Sequence, residues 1–208
     1  MIRIETPLPW LSKFEEAYSQ SLTYPQYARL VLELAENGSS TGEHPTESQI
    51  EFTGLNHKRM KRWHKTLDLP VDVLISLSHL ESPISWLVIT EAWCGDAAHA
   101  LPVMQAMSLE QPLIDLRLVM RDEQPELMDQ FLTEGTRSIP KLISVSKDEG
   151  TFLGDWGPRP EILNQRVKAE KEREGGLSSA FKQELQSWYN TDKGTLISRE
   201  LLSLLPLE

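Results

Sequence analysis

One residue type in this chain stands alone. Cys94 is the single cysteine, and it lies in Ala92-Trp93-Cys94-Gly95-Asp96-Ala97. A thiol directly before a helix meets unpaired backbone N–H groups and the positive end of the helix dipole. Both favour the thiolate, the form that attacks disulfides and binds metals. Gly95 is expected to let the chain turn and keep the sulfur accessible. The bland alternative is a small buried hydrophobe, because free cysteine is among the most buried residue types. Asp96 cuts both ways: in a first helical turn it stabilises the helix, yet beside a sulfur it disfavours the thiolate. The expected result is a thiol more acidic than free cysteine, but less so than without Asp96. His99, five positions on, falls about 140° round a helix from Cys94. It is better placed for a first-turn ion pair with Asp96 than as a base for the sulfur. Glu91 reads as a solvated strand end. Cys94, Asp96 and His99 would not converge on one ion at a helix start, so no metal site is expected.

A buried strand must deliver that cysteine and a helix must follow it. Trp86–Thr90 (WLVIT) is a short continuous apolar run, the mark of a strand covered on both faces. Asp96–Met107 follows as a helix. Leu113–Met120 alternates like a strand, and Glu123–Leu132 reads as a helix. Lys141–Ser146 and Thr151–Asp155 flank the turn Lys147–Gly150 and form a hairpin. Pro158–Glu174 is helical and stops at Gly175-Gly176. The order β-α-β-α-β-β-α predicts a mixed sheet flanked by helices.

Before that block the chain reads as helical: Leu11–Gln20, Tyr24–Glu36, Asn56–Thr66 and Pro70–Leu80. Asn37–Pro45 is a loop, and Thr46 with Gln49 has the capping-box pattern. After it come Leu177–Tyr189 and Thr195–Leu205. Within the third helix lies a basic tract, His57–Lys65. Its Lys58, Lys61, Arg62 and Lys65 share one face, while Met60 and Trp63 face elsewhere. A solvated face opposite a core stripe is the expected reading, with an anion or acidic-partner site as the alternative.

The Trp86–Ala97 stretch resembles the active-site strand and helix start of the thioredoxin superfamily, with its Trp-Cys-Gly-Pro-Cys motif. About 45 residues later, Gly135-Thr-Arg-Ser-Ile-Pro-Lys-Leu142 is similar to the segment that carries that family's cis-proline. The Lys147–Gly150 turn matches the family's hairpin, and Gly157 falls where the family has a glycine before its last helix. The resemblance covers about residues 84–172. It implies a cis bond before Pro140, leaving backbone at Ser138 and Ile139 open to pair with an extended substrate. It also implies that Trp93, Gly95 and Asp96 surround the sulfur. Trp156, Gly157 and Arg159 would form a third loop there, with Arg159 free to hold a carboxylate of a ligand or partner. Three departures agree with one another. Ala97 replaces the resolving cysteine, Asp96 the intervening proline, and Val88 the buried Asp that assists the second thiol. Such a chain is not expected to act as a self-contained disulfide reductase.

The expected architecture is an α/β thioredoxin-like domain over residues 83–174. A helical extension over 1–82 packs on it, and a helical segment over 175–208 follows. Two functions remain open. One is a monothiol redox protein in which Cys94 forms mixed disulfides with a protein disulfide or small-molecule thiol, released by an external reductant. The other is a non-catalytic binding module or thiol sensor, a Cys94-linked dimer being a variant of sensing. No cofactor is implied. The 208 residues carry 21 Lys+Arg against 31 Asp+Glu, a formal charge of -10, which argues against nucleic acid and anionic membranes as partners. No apolar run reaches a membrane span, and Met1–Lys13 has no apolar region of a signal peptide, so a cytoplasmic setting is expected. A single cysteine excludes an internal disulfide framework. Oligomeric state is not legible.

Overall fold

The computed structural model describes residues 8–207. The expectation for Met1–Lys13 therefore rests mostly on residues outside that range. In chain order the elements are α1 (Leu11–Ser19), β1 (Leu22–Thr23), α2 (Tyr24–Glu36), α3 (Glu47–Thr66) and α4 (Val71–Leu77). Then come β2 (Ile84–Thr90), α5 (Ala97–Glu110), β3 (Ile114–Met120), a 3₁₀ turn at Arg121–Glu123 and α6 (Pro125–Met128). The chain closes with β4 (Lys141–Ser146), β5 (Phe152–Trp156), α7 (Glu161–Glu174), α8 (Ser179–Asp192) and α9 (Thr195–Leu202).

The strands form one sheet in the order β1-β3-β2-β4-β5. β2 is central, parallel to β3 and antiparallel to β4. All seven of its residues are buried, which is why its sequence is an unbroken apolar run rather than an alternation. β4 and β5 make the expected antiparallel hairpin. One continuous hydrophobic cluster joins the sheet to helices from both ends of the chain. Tyr27 and Val31 of α2, Met60 of α3 and Leu185 and Tyr189 of α8 are all part of it.

Several elements differ from the sequence reading for identifiable reasons. The third helix starts at Glu47, not Asn56. The Thr46 cap and Gln49 make reciprocal bonds with the backbone, so the capping signal and the later apolar stripe belong to one twenty-residue helix. The segment Glu123–Leu132 holds only a 3₁₀ turn and one short helix begun by Pro125. A tight turn follows, with Glu134 and Gly135 at φ 50° and 74°. α7 starts at Glu161 rather than Pro158, because Pro160 holds Arg159 out of helical geometry. β1, two residues pairing antiparallel with β3, has no signal of its own. In the basic tract Lys58, Lys61, Arg62 and Lys65 are exposed, while Met60 and Trp63 are buried.

Candidate functional site

β2 ends at Thr90 and α5 starts at Ala97, and the chain between them turns through Cys94 N–H to the Glu91 carbonyl at 3.0 Å. Cys94 is only 6% exposed. Its thiol donates to the Ile139 carbonyl at 3.3 Å. Burial, and then the negative charge of Asp96, push the thiol up to about 12. The N–H groups of Ala97 and Asp96 and the Arg159 guanidinium pull the other way without prevailing. The expectation of a thiol more acidic than free cysteine is therefore corrected: a helix start lowers a thiol only where the sulfur keeps its access to water. Gly95 has no left-handed backbone, and a Cβ there would meet Arg59 at an ordinary 3.5 Å. The glycine is not demanded by the turn, and it does not expose the sulfur.

Asp96 is paired by residues far away in sequence. Its Oδ2 lies 2.6 Å from Arg159, and its Oδ1 accepts from the Tyr189 hydroxyl at 2.8 Å. Arg159 thus holds a carboxylate of its own chain, not one reserved for a ligand. The Asp96 carboxylate makes no bond to the His99 ring, the two residues meeting only through His99 N–H to the Asp96 carbonyl at 3.1 Å, so the expected first-turn ion pair is also corrected. His99 is 1% exposed and faces the interior. Its Nδ1 accepts from the Trp63 indole at 2.9 Å, which assigns the proton to Nε2, donated to Gln186 Oε1 at 2.8 Å. The ring stacks on Tyr189 at 4.3 Å. Burial pushes His99 down to about 4. It is a neutral structural histidine that fastens α3 and α8 to the start of α5.

The segment opposite the sulfur is Ser138-Ile139-Pro140, with a cis Ile139–Pro140 bond. Ser138 N–H bonds the Thr136 carbonyl at 2.8 Å. The Ile139 N–H has no partner among the described residues, while its carbonyl takes the thiol. Gly157 packs against this segment at φ 118°, where a Cβ would fall 2.1 Å from the Pro140 carbonyl oxygen. The peptide bond after Gly157 is also cis. Trp156 points elsewhere: it is buried, and its indole donates to Glu200 at 2.7 Å.

A cleft of about 430 Å³ opens over these residues. Trp93, Cys94, Gly95, Asp96, Ser138, Ile139 and Arg159 line it. Pro140, Trp156 and Gly157 lie behind its wall. Phe52, Arg121, Arg137 and Lys171 also line it, residues for which the sequence alone offers no site signal, as do Ser48, Gln49 and Pro158. Arg121 covers Trp93, its guanidinium 5.0 Å from the ring centre. Arg59 stands beside Gly95 and donates to Asn56, whose amide in turn donates to the Ala92 carbonyl. Glu91 is not solvated. It is fully buried, its Oε1 accepts from Asp122 N–H at 3.0 Å, and its Oε2 has no partner among the described residues. Burial raises its carboxyl above the usual range. Among the described residues no group of three His, Cys, Asp or Glu could hold a metal ion, and no helix is long and apolar enough to cross a membrane.

A protein-family model described as thioredoxin, Thioredoxin_9, matches residues 42–172, more than half of the chain. The chain belongs to this thioredoxin family. The matched span takes in α3 and α4 as well as the strands around Cys94. Among solved structures, a protein of unknown function from Pseudomonas aeruginosa is similar at 18% identity and a TM-score of 0.55. That likeness covers 88% of this chain and 96% of the other. An HIV epitope scaffold is similar at 18% identity and a TM-score of 0.53, covering 88% and 97%. At such identity these two speak for the fold alone. No curated protein matches the chain.

Proposed function

We propose that this thioredoxin-family chain is a binding module whose cleft takes an extended peptide, with Cys94 as a neutral thiol in its floor. The observation that carries the reading is the Cys94 thiol itself: buried, donating to Ile139, and pushed up to about 12. At neutral pH such a group is almost wholly the neutral thiol. A standing nucleophile needs the opposite setting. The neighbouring Ile139 N–H is unpartnered among the described residues and supports pairing with an added strand. The division into residues 1–82, 83–174 and 175–208 is part of the same proposal. So is a cytoplasmic setting, in keeping with an unpaired cysteine.

Monothiol exchange is the second reading, supported by the place of Cys94 in the lining of the cleft. In that reaction the Cys94 thiolate attacks a disulfide sulfur, a mixed disulfide forms, and the other sulfur leaves as a thiolate. Ala97 offers no second sulfur, so an external thiol must release the product. Incubation of the native protein with oxidised glutathione, followed by mass spectrometry, separates the two. The binding module predicts an adduct on Cys94 only after unfolding. Rapid adduct formation by the native protein overturns it in favour of exchange.

A further inference from the structure

A second, larger cleft lies away from Cys94. It measures about 630 Å³, within the range of small-molecule sites, and is bounded by the start of α2, the end of α3, α4 and the second half of α5. Its walls are apolar: Ala28, Leu67, Leu69, Leu74, Pro102 and Leu109. Leu109 is 70% exposed, an unusual position for a leucine unless something covers it. The Tyr24 hydroxyl and His64 Nε2, both in its lining, bond each other at 2.6 Å.

Charge at this cleft is one-sided. Asp68, just past the end of α3, and Glu110, the last residue of α5, both line it, and among the described residues no Lys or Arg does. α3 and α5 also end here, so the partial negative charge of their last carbonyl groups adds to the two carboxylates. The start of α2 opposes this weakly, because its first N–H groups are engaged by the Thr23–Gln26 capping box. Burial, together with His57, holds His64 below its ordinary value, so this imidazole brings no positive charge at neutral pH. Lys61 and Lys65 of α3 are exposed and do not line the cleft.

We propose that this cleft binds a small apolar organic cation, its hydrocarbon body against Leu67, Leu74 and Leu109 and its charge at Asp68 and Glu110. The proposal is independent of what the Cys94 cleft does.

Tetraphenylphosphonium and tetraphenylborate test it, since they match in shape and differ in charge. Each is titrated into the full chain by calorimetry, with tryptophan fluorescence reporting on Trp63. The expected result is saturable binding of one cation per chain, with the anion weaker by about tenfold or more. The double substitution Asp68→Asn/Glu110→Gln should bring the two within about threefold. Leu109→Arg, at an exposed position that folding does not depend on, should weaken the cation by about tenfold. Ala106→Trp should block the cleft, with thermal melting as the check on its fold. The proposal is overturned by an absence of saturable cation binding, by equal binding of both ions, or by cation binding that none of the three variants alters. It is also overturned if sedimentation shows a dimer that Leu109→Arg dissociates and the cation does not. That result would make a second copy the occupant.

Discussion

His99 offers a stability test that can be worked from the structure. Its ring is enclosed by Trp63, Gln186 and Tyr189, and burial is the main force that moves it from an ordinary 6.5 to about 4. The charges of Arg59 and Arg62 push the same way, while the Gln186 bond and Asp96 pull back. The folded state therefore binds the proton less readily than the unfolded chain. The stability from a neutral His99 is fully present above about pH 6.5 and is lost as pH falls towards 4. At about 1.4 kcal/mol per pH unit, the complete loss is about 3 kcal/mol, of which about 2 kcal/mol has gone by pH 5. His64 adds in the same direction, and the raised carboxyls of Glu91 and Asp192 oppose it. The comparison is therefore between wild type and His99→Gln, which keeps an acceptor for Trp63 without a titrating ring. Urea unfolding followed by tryptophan fluorescence at pH 7.5 and pH 5 gives the two stabilities for each protein. The variant should lose about 2 kcal/mol less than wild type across that interval. Parallel losses in the two proteins would refute the reasoning, as would an NMR titration of the His99 ring with a midpoint near 6.5.

Three further outcomes are expected. Gly157→Ala should cost about 4 kcal/mol or more, or prevent folding, because its Cβ would sit 2.1 Å from the Pro140 oxygen; circular dichroism and thermal melting read this directly. Arg159→Gln leaves the Asp96 carboxylate with Tyr189 as its remaining hydrogen-bond donor and should destabilise by about 3 kcal/mol. In that background, Asp96→Asn should restore part of the loss in a double-mutant cycle. Glu91→Gln should act only where the carboxyl ionises. A raised folded-state carboxyl contributes stability at low pH that is lost as pH rises. The variant should melt higher than wild type at pH 8, and the difference should shrink as pH falls towards 4.

What could be read in advance divides by range along the chain. The β2 strand, the β4–β5 hairpin and the Thr46 cap are encoded within a few residues, by burial pattern and turn chemistry. The position of Cys94 before a helix is equally local. The state of its thiol is not. It depends on Ile139, 45 residues on, and on burial beneath distant segments. Helical spacing offers Asp96 only its neighbour His99, whereas the fold supplies Arg159 and Tyr189. The missed signal lies in α8, where Gln186 and Tyr189 fall three apart and so share a face of the helix. Glu91 reads as a strand end open to water because nothing near it in sequence marks the loop at Thr41 that covers it. Thr41 Oγ1 accepts from Ala92 N–H at 3.0 Å, which closes this corner. A strand of two residues, such as β1, carries too little pattern to be distinguished from a helix lead-in.

The claim that Cys94 is a neutral thiol is most directly measured by its rate of alkylation with iodoacetamide as a function of pH, in the native and the urea-unfolded protein. The account predicts a native rate far below the unfolded one at pH 8, still climbing at pH 10 and beyond, while the unfolded chain titrates near the ordinary value of about 8.5. A native rate that matches or exceeds the unfolded one at pH 8 and levels off below about 8.5 would contradict it, and would return Cys94 to the role of nucleophile.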